Sequence, residues 1–308
     1  MDRHKEVQKS LLKNEIEVIK ELEKSYEQAL DDIDAVITKL LARKDTENLQ
    51  AIIYQLKYQK ALKKELGALL EVLHSRNFTT IEEYLKSCYE NGHIGALYEL
   101  QGQGVPLLIP LSQELMLTSI MTNSKLSAPL YNALGYNIDI LKVDVMREIS
   151  RGFAQGLSYS EIARNLKNKS DIDYNKALRI AKTEGHRIQN ESAYNVQVNA
   201  VNLGADILKQ WDATLDSRTR DSHQKLDGEV VKVHEKFSNG LMYPSDPNGT
   251  ASEVINCRCS LLQRASWGLT DEEFTKMNGK TNKLQHFEDI DDYNKFKEAF
   301  WGWNKWLL

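Results

Sequence analysis

The sequence has little of what marks several large classes of protein. Its three cysteines in 308 residues are too few for a disulfide framework. The net charge is only −4, so no overall basic field attracts the chain to nucleic acid. No stretch approaches the roughly 18 to 20 apolar residues of a membrane span. Residues 1–4 lead into a charged helix without an apolar signal segment, so we expect the protein to work in a reducing compartment.

The common catalytic motifs are missing as well. The sequence contains no nucleophile elbow, no phosphate-binding glycine loop and no His-Glu-x-x-His helix. We therefore predict that the protein is not an enzyme and that it needs no catalytic cofactor. What the chain does contain is 41% hydrophobic and 27% charged residues, a composition that indicates a folded protein with extended helices.

The N-terminal quarter predicts a helical hairpin over residues 1–76. Apolar residues recur at heptad spacing between residues 5 and 43, and a second apolar pattern follows up to Leu73. The heptad-spaced residues form a narrow apolar stripe, or seam, along one side of the first helix. Because so narrow a seam buries enough apolar area only against another helix, we expect the two helices to cover each other. Pairing with another chain is the alternative, and it makes the seam a candidate for partner binding. The seam residues are Ile19, Leu22, Tyr26 and Ile33.

Residues 77–204 predict a central domain of several helices. Thr80 with Glu83, and Ser158 with Glu161, each fit a capping box at a helix start. A long helix is predicted to open at residues 171–173, and Gly204 is its expected C-terminal cap.

The remaining chain predicts a small α+β domain, residues 205–265, and an aromatic tail, residues 266–308. Residues 207–211 and 229–233 have the composition of short strands. The predicted fold class is therefore mostly α with a small C-terminal α+β domain. The tail either anchors in a partner's groove or folds back onto the chain. Its partner-binding candidates are Trp301, Trp303 and Trp306.

Three residues of the small domain have the chemistry of metal ligands. His223, Cys257 and Cys259 offer an imidazole and two thiols, which zinc prefers. A fourth ligand could come from Asp221, Asp227 or His234. However, the Cys-x-Cys spacing is tighter than the usual spacing of two to four residues. The alternative is that both cysteines are buried core residues and that the histidine hydrogen-bonds a turn.

Charged residues in two places also suggest sites. The run Asp216-Ser217-Arg218-Thr219-Arg220 has the pattern of an Asp-capped turn whose arginines clamp carboxylates elsewhere in the domain. The alternative is an acid–base set that shifts the pKa of a nearby histidine into a catalytic range.

A basic face on the long helix could make loose contacts with DNA phosphates. The alternative is that this face is simply solvated. The residues of this face are Lys176, Arg179, Lys182 and Arg187.

Several short motifs follow one another in a recognisable order between about residues 150 and 262. They comprise Thr183, Glu184, His186, Arg187, Gln210, Trp211, Asp216, Arg218, Thr219, Arg220, His223, Asp227, Gly228, Phe237, Tyr243, Pro244, Cys257, Arg258 and Cys259. This order resembles that of the Mu F-like minor head proteins, also called phage head morphogenesis proteins. The most specific part is the Asp-x-Arg-Thr-x-x-x-His turn joined to Cys-Arg-Cys.

The resemblance implies a tailed-phage virion component that binds the portal protein inside the procapsid and assists head assembly and DNA ejection. It would then lie in the virion interior near the portal, and in the host cytoplasm during assembly. The major capsid or scaffolding protein would be a further partner.

Two alternative functions remain. The first is a zinc-dependent hydrolase or nuclease, in which His223, Cys257 and Cys259 bind the metal and Asp216 or Asp221 is the base. The second is a sequence-independent DNA-binding module.

Overall fold

The computed structural model describes residues 3–41, 50–121, 139–148, 151, 159–268 and 291–304. The predicted fold class is confirmed, because long helices dominate and one small sheet lies in the C-terminal third. The helices are α1 (Arg3–Leu41), α2 (Gln50–Gly102), α3 (Gln113–Met121), α4 (Tyr159–Asn202), α5 (Asp221–Gln224), α6 (Ala251–Val254) and α7 (Asp291–Asn304). Residues 139–148 are also helical. None of the described helices is long and apolar enough to cross a membrane.

The chain divides into two compact units. The sheet-bearing unit comprises Met1–Ile16, Glu83–Pro129 and Ala181–Leu308, and the helical unit comprises Glu17–Glu82 and Leu130–Ile180. The predicted domain boundary at residues 76 and 77 falls inside helix α2.

In the sheet-bearing unit, α1 and α2 run antiparallel, as the hairpin prediction requires. The Arg3 guanidinium donates to the backbone carbonyl of Tyr98 at 2.7 Å, and the Asn14 amide donates to the Ser87 hydroxyl at 3.4 Å. Helix α2 is longer than predicted, because it continues through Thr80 to Gly102. The helix start predicted at Thr80 is therefore wrong.

In the helical unit, the heptad seam of α1 is covered by the chain itself. Leu22, Tyr26 and Ile33 are buried, and Ile19 is half-buried. The Tyr26 hydroxyl donates to Asp173 of α4 at 2.6 Å. Since these side chains are used for packing within the chain, the seam does not offer the open partner-binding surface that was predicted as the alternative.

Helix α4 begins at Tyr159, next to the capping box predicted at Ser158 and Glu161, and continues through residues 171–173, so the second helix start predicted there is wrong. Its end is as predicted. Gly204 has a φ of 90°, its N–H bonds to the Val201 carbonyl at 2.9 Å, and the Ala205 N–H bonds to the Ala200 carbonyl at 3.0 Å. These two bonds and the left-handed glycine form a Schellman cap, in which glycine avoids the strain that a side chain would bring.

The sheet has three antiparallel strands in the order β2-β1-β3. They are β1 (Ile207–Asp212), β2 (Val230–Lys232) and β3 (Ser260–Ala265). The first two were predicted, and β3 was not. Gln210 of β1 pairs with Val230 of β2 and with Leu262 of β3, which fixes the register of the sheet.

A compact apolar core surrounds one end of this sheet. Its buried members are Trp211, Ala213, Leu226, Phe237, Leu241, Tyr243, Cys257, Cys259 and Leu261. Trp211 is fully buried and makes edge-on contacts with Phe237 and with His223, at ring-centre distances of 5.2 and 5.3 Å. The tryptophan therefore forms one wall around the predicted metal-ligand residues.

Helix α4 is joined to β3 by one buried side chain. The Asn190 amide donates to the Cys259 carbonyl at 3.0 Å, and its carbonyl oxygen accepts from the Leu261 N–H at 2.9 Å. The asparagine thus satisfies two backbone groups at the start of the strand, as a neighbouring strand would. This contact holds the segment that carries both cysteines.

Part of the aromatic tail folds back onto the sheet-bearing unit. The hydroxyl of Tyr293, which is buried, donates to the Asn91 side chain at 2.8 Å. Phe300 is buried near His93, with ring centres 5.8 Å apart, and Trp301 is half-buried beside it. Of the remaining predicted tail contacts, Trp306 and the side chain of Trp303 lie outside the described residues.

Candidate functional site: a buried Cys-Cys-His cluster

The structure brings the three predicted ligand residues together. The Nδ1 atom of His223 on α5 lies 3.6 Å from the Cys257 sulfur and 3.4 Å from the Cys259 sulfur. The ligand atoms of all three lie within 4.8 Å of one another. The three residues are only 1–2% exposed. The cluster is therefore a closed site inside the small domain.

Local backbone geometry explains how both cysteines reach one nitrogen. Helix α6 ends at Val254, and Asn256 then takes a φ of 58°, which turns the chain toward β3. The Asn256 N–H is held by the Thr183 hydroxyl at 3.1 Å. Because residues two apart in an extended stretch lie on the same side, Cys257 and Cys259 face the same histidine.

A carboxylate completes the surroundings of the histidine. Oε2 of Glu253 on α6 lies 2.8 Å from His223 Nε2, the nitrogen that faces away from the sulfurs. Oε1 of the same carboxylate accepts from the Ser222 hydroxyl at 3.2 Å. The ring is thus fixed between two sulfurs and one carboxylate. Glu253 is not among the residues predicted for the site, although it lies only four residues before Cys257.

The groups of the cluster shift one another's pKa values. Its contact with Cys259 lowers the pKa of Cys257 well below its usual value, although burial opposes this, and His223 adds to the lowering. The same contact raises the pKa of Cys259, and burial raises it further. Burial opposes the charged form of His223, but Cys257 and Glu253 outweigh burial and raise its pKa.

A charged fork lies next to the cluster. The Arg258 guanidinium donates to both oxygens of Asp216, at 2.5 and 2.6 Å, and holds the pKa of this carboxyl well below its usual range. Asp216 also accepts from the Arg218 N–H at 2.9 Å and from the Thr219 hydroxyl at 3.1 Å. The predicted Asp-capped turn is therefore present, and it is tied to the residue between the two cysteines.

The arginines of that turn differ from the prediction. The Arg218 side chain is 80% exposed and lies 3.9 Å from Asp216, and Arg220 donates to the Ile255 carbonyl. Neither clamps a carboxylate elsewhere in the domain, so this part of the prediction is wrong. The bidentate contact comes from Arg258, whose approach depends on the tertiary fold.

The other predicted residues near the site have structural contacts. Asp227 accepts from the Ala213 N–H at 2.9 Å, and Gly228 takes a φ of 77° in the turn before β2. Pro244 is buried beside the core. Asp221 and His234 are exposed. Among the residues that the structure describes, no fourth histidine, cysteine or carboxylate joins the three-ligand cluster.

The basic helix face predicted for DNA contact is only partly available. Arg187 is fully buried, donates to Glu184 at 2.6 Å and to Glu191 at 2.5 Å, and cannot reach a phosphate. The prediction for this residue is wrong. The Lys182 amine lies 3.5 Å from Glu15, whereas Arg179 is exposed and Lys176 half-buried.

A buried lysine in the core of the small domain was not predicted either. Lys209 of β1 donates to the Met242 carbonyl at 2.7 Å and lies 5.0 and 5.1 Å from the ring centres of Tyr194 and Phe237. Burial lowers the pKa of its amine to about 8. Lys209 lies two residues before Trp211 in β1. Nothing in the sequence around it indicates that a lysine in this strand is buried.

Comparison with known proteins confirms the resemblance stated above. Residues 143–262 match the family model described as "Phage Mu protein F like protein". The matched segment contains the Cys-Cys-His cluster and the Asp216–Arg258 fork. Helices α1 and α7 lie outside it.

Two proteins resemble almost the whole chain. The minor head protein GP7 of Bacillus phage SPP1 is 23% identical over 293 residues, which cover 91% of this chain and 92% of that protein. The NAD(+)--arginine ADP-ribosyltransferase EFV of Enterococcus faecalis is 30% identical over 296 residues, which cover 94% of this chain. The chain spans only 59% of the length of that second protein. No solved structure matches the chain.

Proposed function

We propose that the protein is a minor head protein of a tailed phage that binds the portal inside the procapsid and assists head assembly and DNA ejection. The observation that carries this proposal is the extent of the likeness to the SPP1 minor head protein, which covers more than nine-tenths of both chains. The likeness therefore includes the helical hairpin as well as the sheet, and not only the Mu F-like segment. The proposed location is the virion interior near the portal.

The structure supports a role in binding more than one in catalysis. A catalytic zinc site keeps one coordination position open to substrate and water. The Cys-Cys-His cluster is instead enclosed by the core around Trp211, with its ligand residues 1–2% exposed. This geometry does not favour the zinc-dependent hydrolase or nuclease. It fits a cluster that holds the small domain in one shape.

Co-expression with a candidate portal protein tests the proposal. We expect the two proteins to co-purify, and the candidate minor head protein to be recovered from procapsids that contain that portal. Major capsid and scaffolding proteins serve as separate baits. Failure to bind the portal, together with absence from procapsids, would refute the proposal.

Trp301 gives a sharper test of the contact surface. Of the predicted partner-binding residues in the tail, it is the one whose side chain the structure describes, and it is half-buried with a face left accessible. We expect Trp301→Ala to reduce portal recovery about tenfold, because truncation of an aromatic anchor commonly costs more than 1 kcal/mol of binding. Trp267→Ala, at a tryptophan that is 61% exposed and lies outside α7, is the control. Equal recovery of both variants would remove the tail from the interface.

The ADP-ribosyltransferase reaction belongs, by its name, to the Enterococcus protein, of which this chain spans only part. We propose that this chain does not carry the reaction. Incubation with NAD and an arginine-containing acceptor should release no nicotinamide above the level of a protein-free control. Sustained turnover would overturn the non-enzymatic proposal while leaving the portal test unaffected.

A further inference from the structure

We infer that His223, Cys257 and Cys259 bind a Zn²⁺ ion through one imidazole nitrogen and two thiolates. This inference goes beyond the proposed function and does not depend on it. The site would be structural, because its three ligand residues are buried away from substrate and solvent.

The distances in the cluster are those of a tetrahedral metal site. With Zn–S bonds of about 2.3 Å and Zn–N bonds of about 2.0–2.1 Å, a tetrahedron places each sulfur about 3.5 Å from the nitrogen. The observed distances from His223 Nδ1 are 3.6 Å to Cys257 and 3.4 Å to Cys259. Both nitrogen–sulfur distances therefore fit an ion shared by the three residues, whose ligand atoms all lie within 4.8 Å of one another.

Hydrogen bonding alone accounts less well for this arrangement. An imidazole nitrogen carries either one hydrogen or one lone pair, so Nδ1 forms one full hydrogen bond. Here two sulfurs lie almost equally close to the same nitrogen. A shared cation explains both contacts at once, because each ligand then points its lone pair at the same place.

Glu253 supplies an independent observation. A histidine that binds a metal almost always donates its other ring N–H to a carboxylate, a carbonyl or a water, which fixes the ring. The carboxylate of Glu253 lies 2.8 Å from Nε2 of His223. With an ion bound, a proton on Nε2 would be held by Glu253 and the lone pair of Nδ1 would be left for the metal.

The donor set also selects the metal. Two thiolates and an imidazole are soft to intermediate ligands, which suit Zn²⁺ and not the oxygen-seeking Mg²⁺ or Ca²⁺. The bound ion would join α5 to the start of β3 across 34 residues of chain. Closing that loop through a metal restricts the unfolded chain and so stabilises the small domain.

Metal analysis of the full chain is the direct test. We expect protein purified under reducing conditions from zinc-containing medium to hold about one equivalent of zinc. Cys257→Ser and Cys259→Ser should lose it. Cys88→Ser is the matched control, because Cys88 is the remaining cysteine, is buried, and is not part of the cluster. A chain without zinc, or a Cys257→Ser variant that keeps a full equivalent, would overturn the inference.

Two further measurements keep the inference testable if a cysteine variant fails to fold. Cobalt added to the metal-free wild-type chain should give the thiolate-to-metal charge-transfer absorption and the strong visible bands of tetrahedral Co²⁺. Glu253→Gln should keep the site but bind the metal about 10- to 100-fold more weakly. Absence of the cobalt bands, or an unchanged affinity in Glu253→Gln, would contradict the assignment. Portal binding is measured separately, so failure of the metal test leaves the proposed function untouched.

Discussion

The contact between Asn190 and β3 predicts a large loss of stability from one small substitution. Asn190 is buried on α4, and its side chain bonds to the Cys259 carbonyl at 3.0 Å and to the Leu261 N–H at 2.9 Å. Asn190→Ala removes both partners and leaves a backbone donor and a backbone acceptor inside the protein. Neither backbone group can turn toward water without moving the strand.

The expected magnitude follows from these two groups. Leaving a buried polar group unsatisfied costs about 1–3 kcal/mol, so the two groups together destabilise the sheet-bearing unit by about 2–6 kcal/mol. Alanine is a better helix former than asparagine, and this gain of about 0.5 kcal/mol in α4 offsets only a small part of the loss.

Hydrogen exchange and urea unfolding measure this effect. The Leu261 amide should exchange at least tenfold faster in Asn190→Ala, and the unfolding midpoint should fall. Asn175→Ala is the matched control, because Asn175 lies on the same helix and its exposed side chain bonds only to the Asp171 carbonyl. If Asn190→Ala behaves like Asn175→Ala, the two hydrogen bonds do not anchor β3 as we infer.

Three other predictions concern buried and exposed charges. Arg187→Met should destabilise the protein by about 3–5 kcal/mol in thermal or urea unfolding, because it leaves the glutamate partners of Arg187 buried without a counter-ion. Arg179→Met, at an exposed arginine on the same helix, is the control and should change stability by less than about 0.5 kcal/mol. Burial opposes the charged form of His4, but Glu99 and Asp212 outweigh it and raise the pKa of this histidine from 6.5 to about 10. The contribution of the charged His4 to stability is therefore fully present below about pH 6.5 and lost as the pH rises toward 10. His4→Gln should flatten this part of the curve of stability against pH. An unchanged slope would contradict the raised pKa of His4. Any DNA binding should weaken steeply with salt and fall further in a Lys176→Glu, Arg179→Glu double variant, whereas a flat salt response would dismiss phosphate contacts.

The sequence predicted which segments are helical better than where the helices begin. Apolar periodicity is a property of a whole segment, and it identified the hairpin and its narrow seam. Two of the predicted helix starts, at Thr80 and at residues 171–173, lie inside longer helices. Cap-type side chains can find other partners, as Asp173 inside α4 does when it accepts from Tyr26. Sequence alone does not reveal such partners.

Some residues of the candidate site could be predicted from the sequence, and others could not. Ligand chemistry identified His223, Cys257 and Cys259 before the fold was known, although the narrow Cys-x-Cys spacing weakened the zinc prediction. Glu253 and the clamping role of Arg258 were missed, because both depend on how α6 and the 216–220 turn approach the cysteine segment. The two charged groups carry no local signature that separates them from ordinary surface residues.

The burial of all three native cysteines makes the protein a convenient subject for chemical labelling. Cys88, Cys257 and Cys259 are shielded from bulky thiol reagents in the folded state. A cysteine introduced at an exposed position, for example by Trp267→Cys at a residue that is 61% exposed, should react with a maleimide much faster than any of them. Dyes or crosslinkers can therefore be attached at chosen points without first removing the native thiols. The Cys-Cys-His cluster then stays intact while the labels identify which proteins contact this one in an assembly.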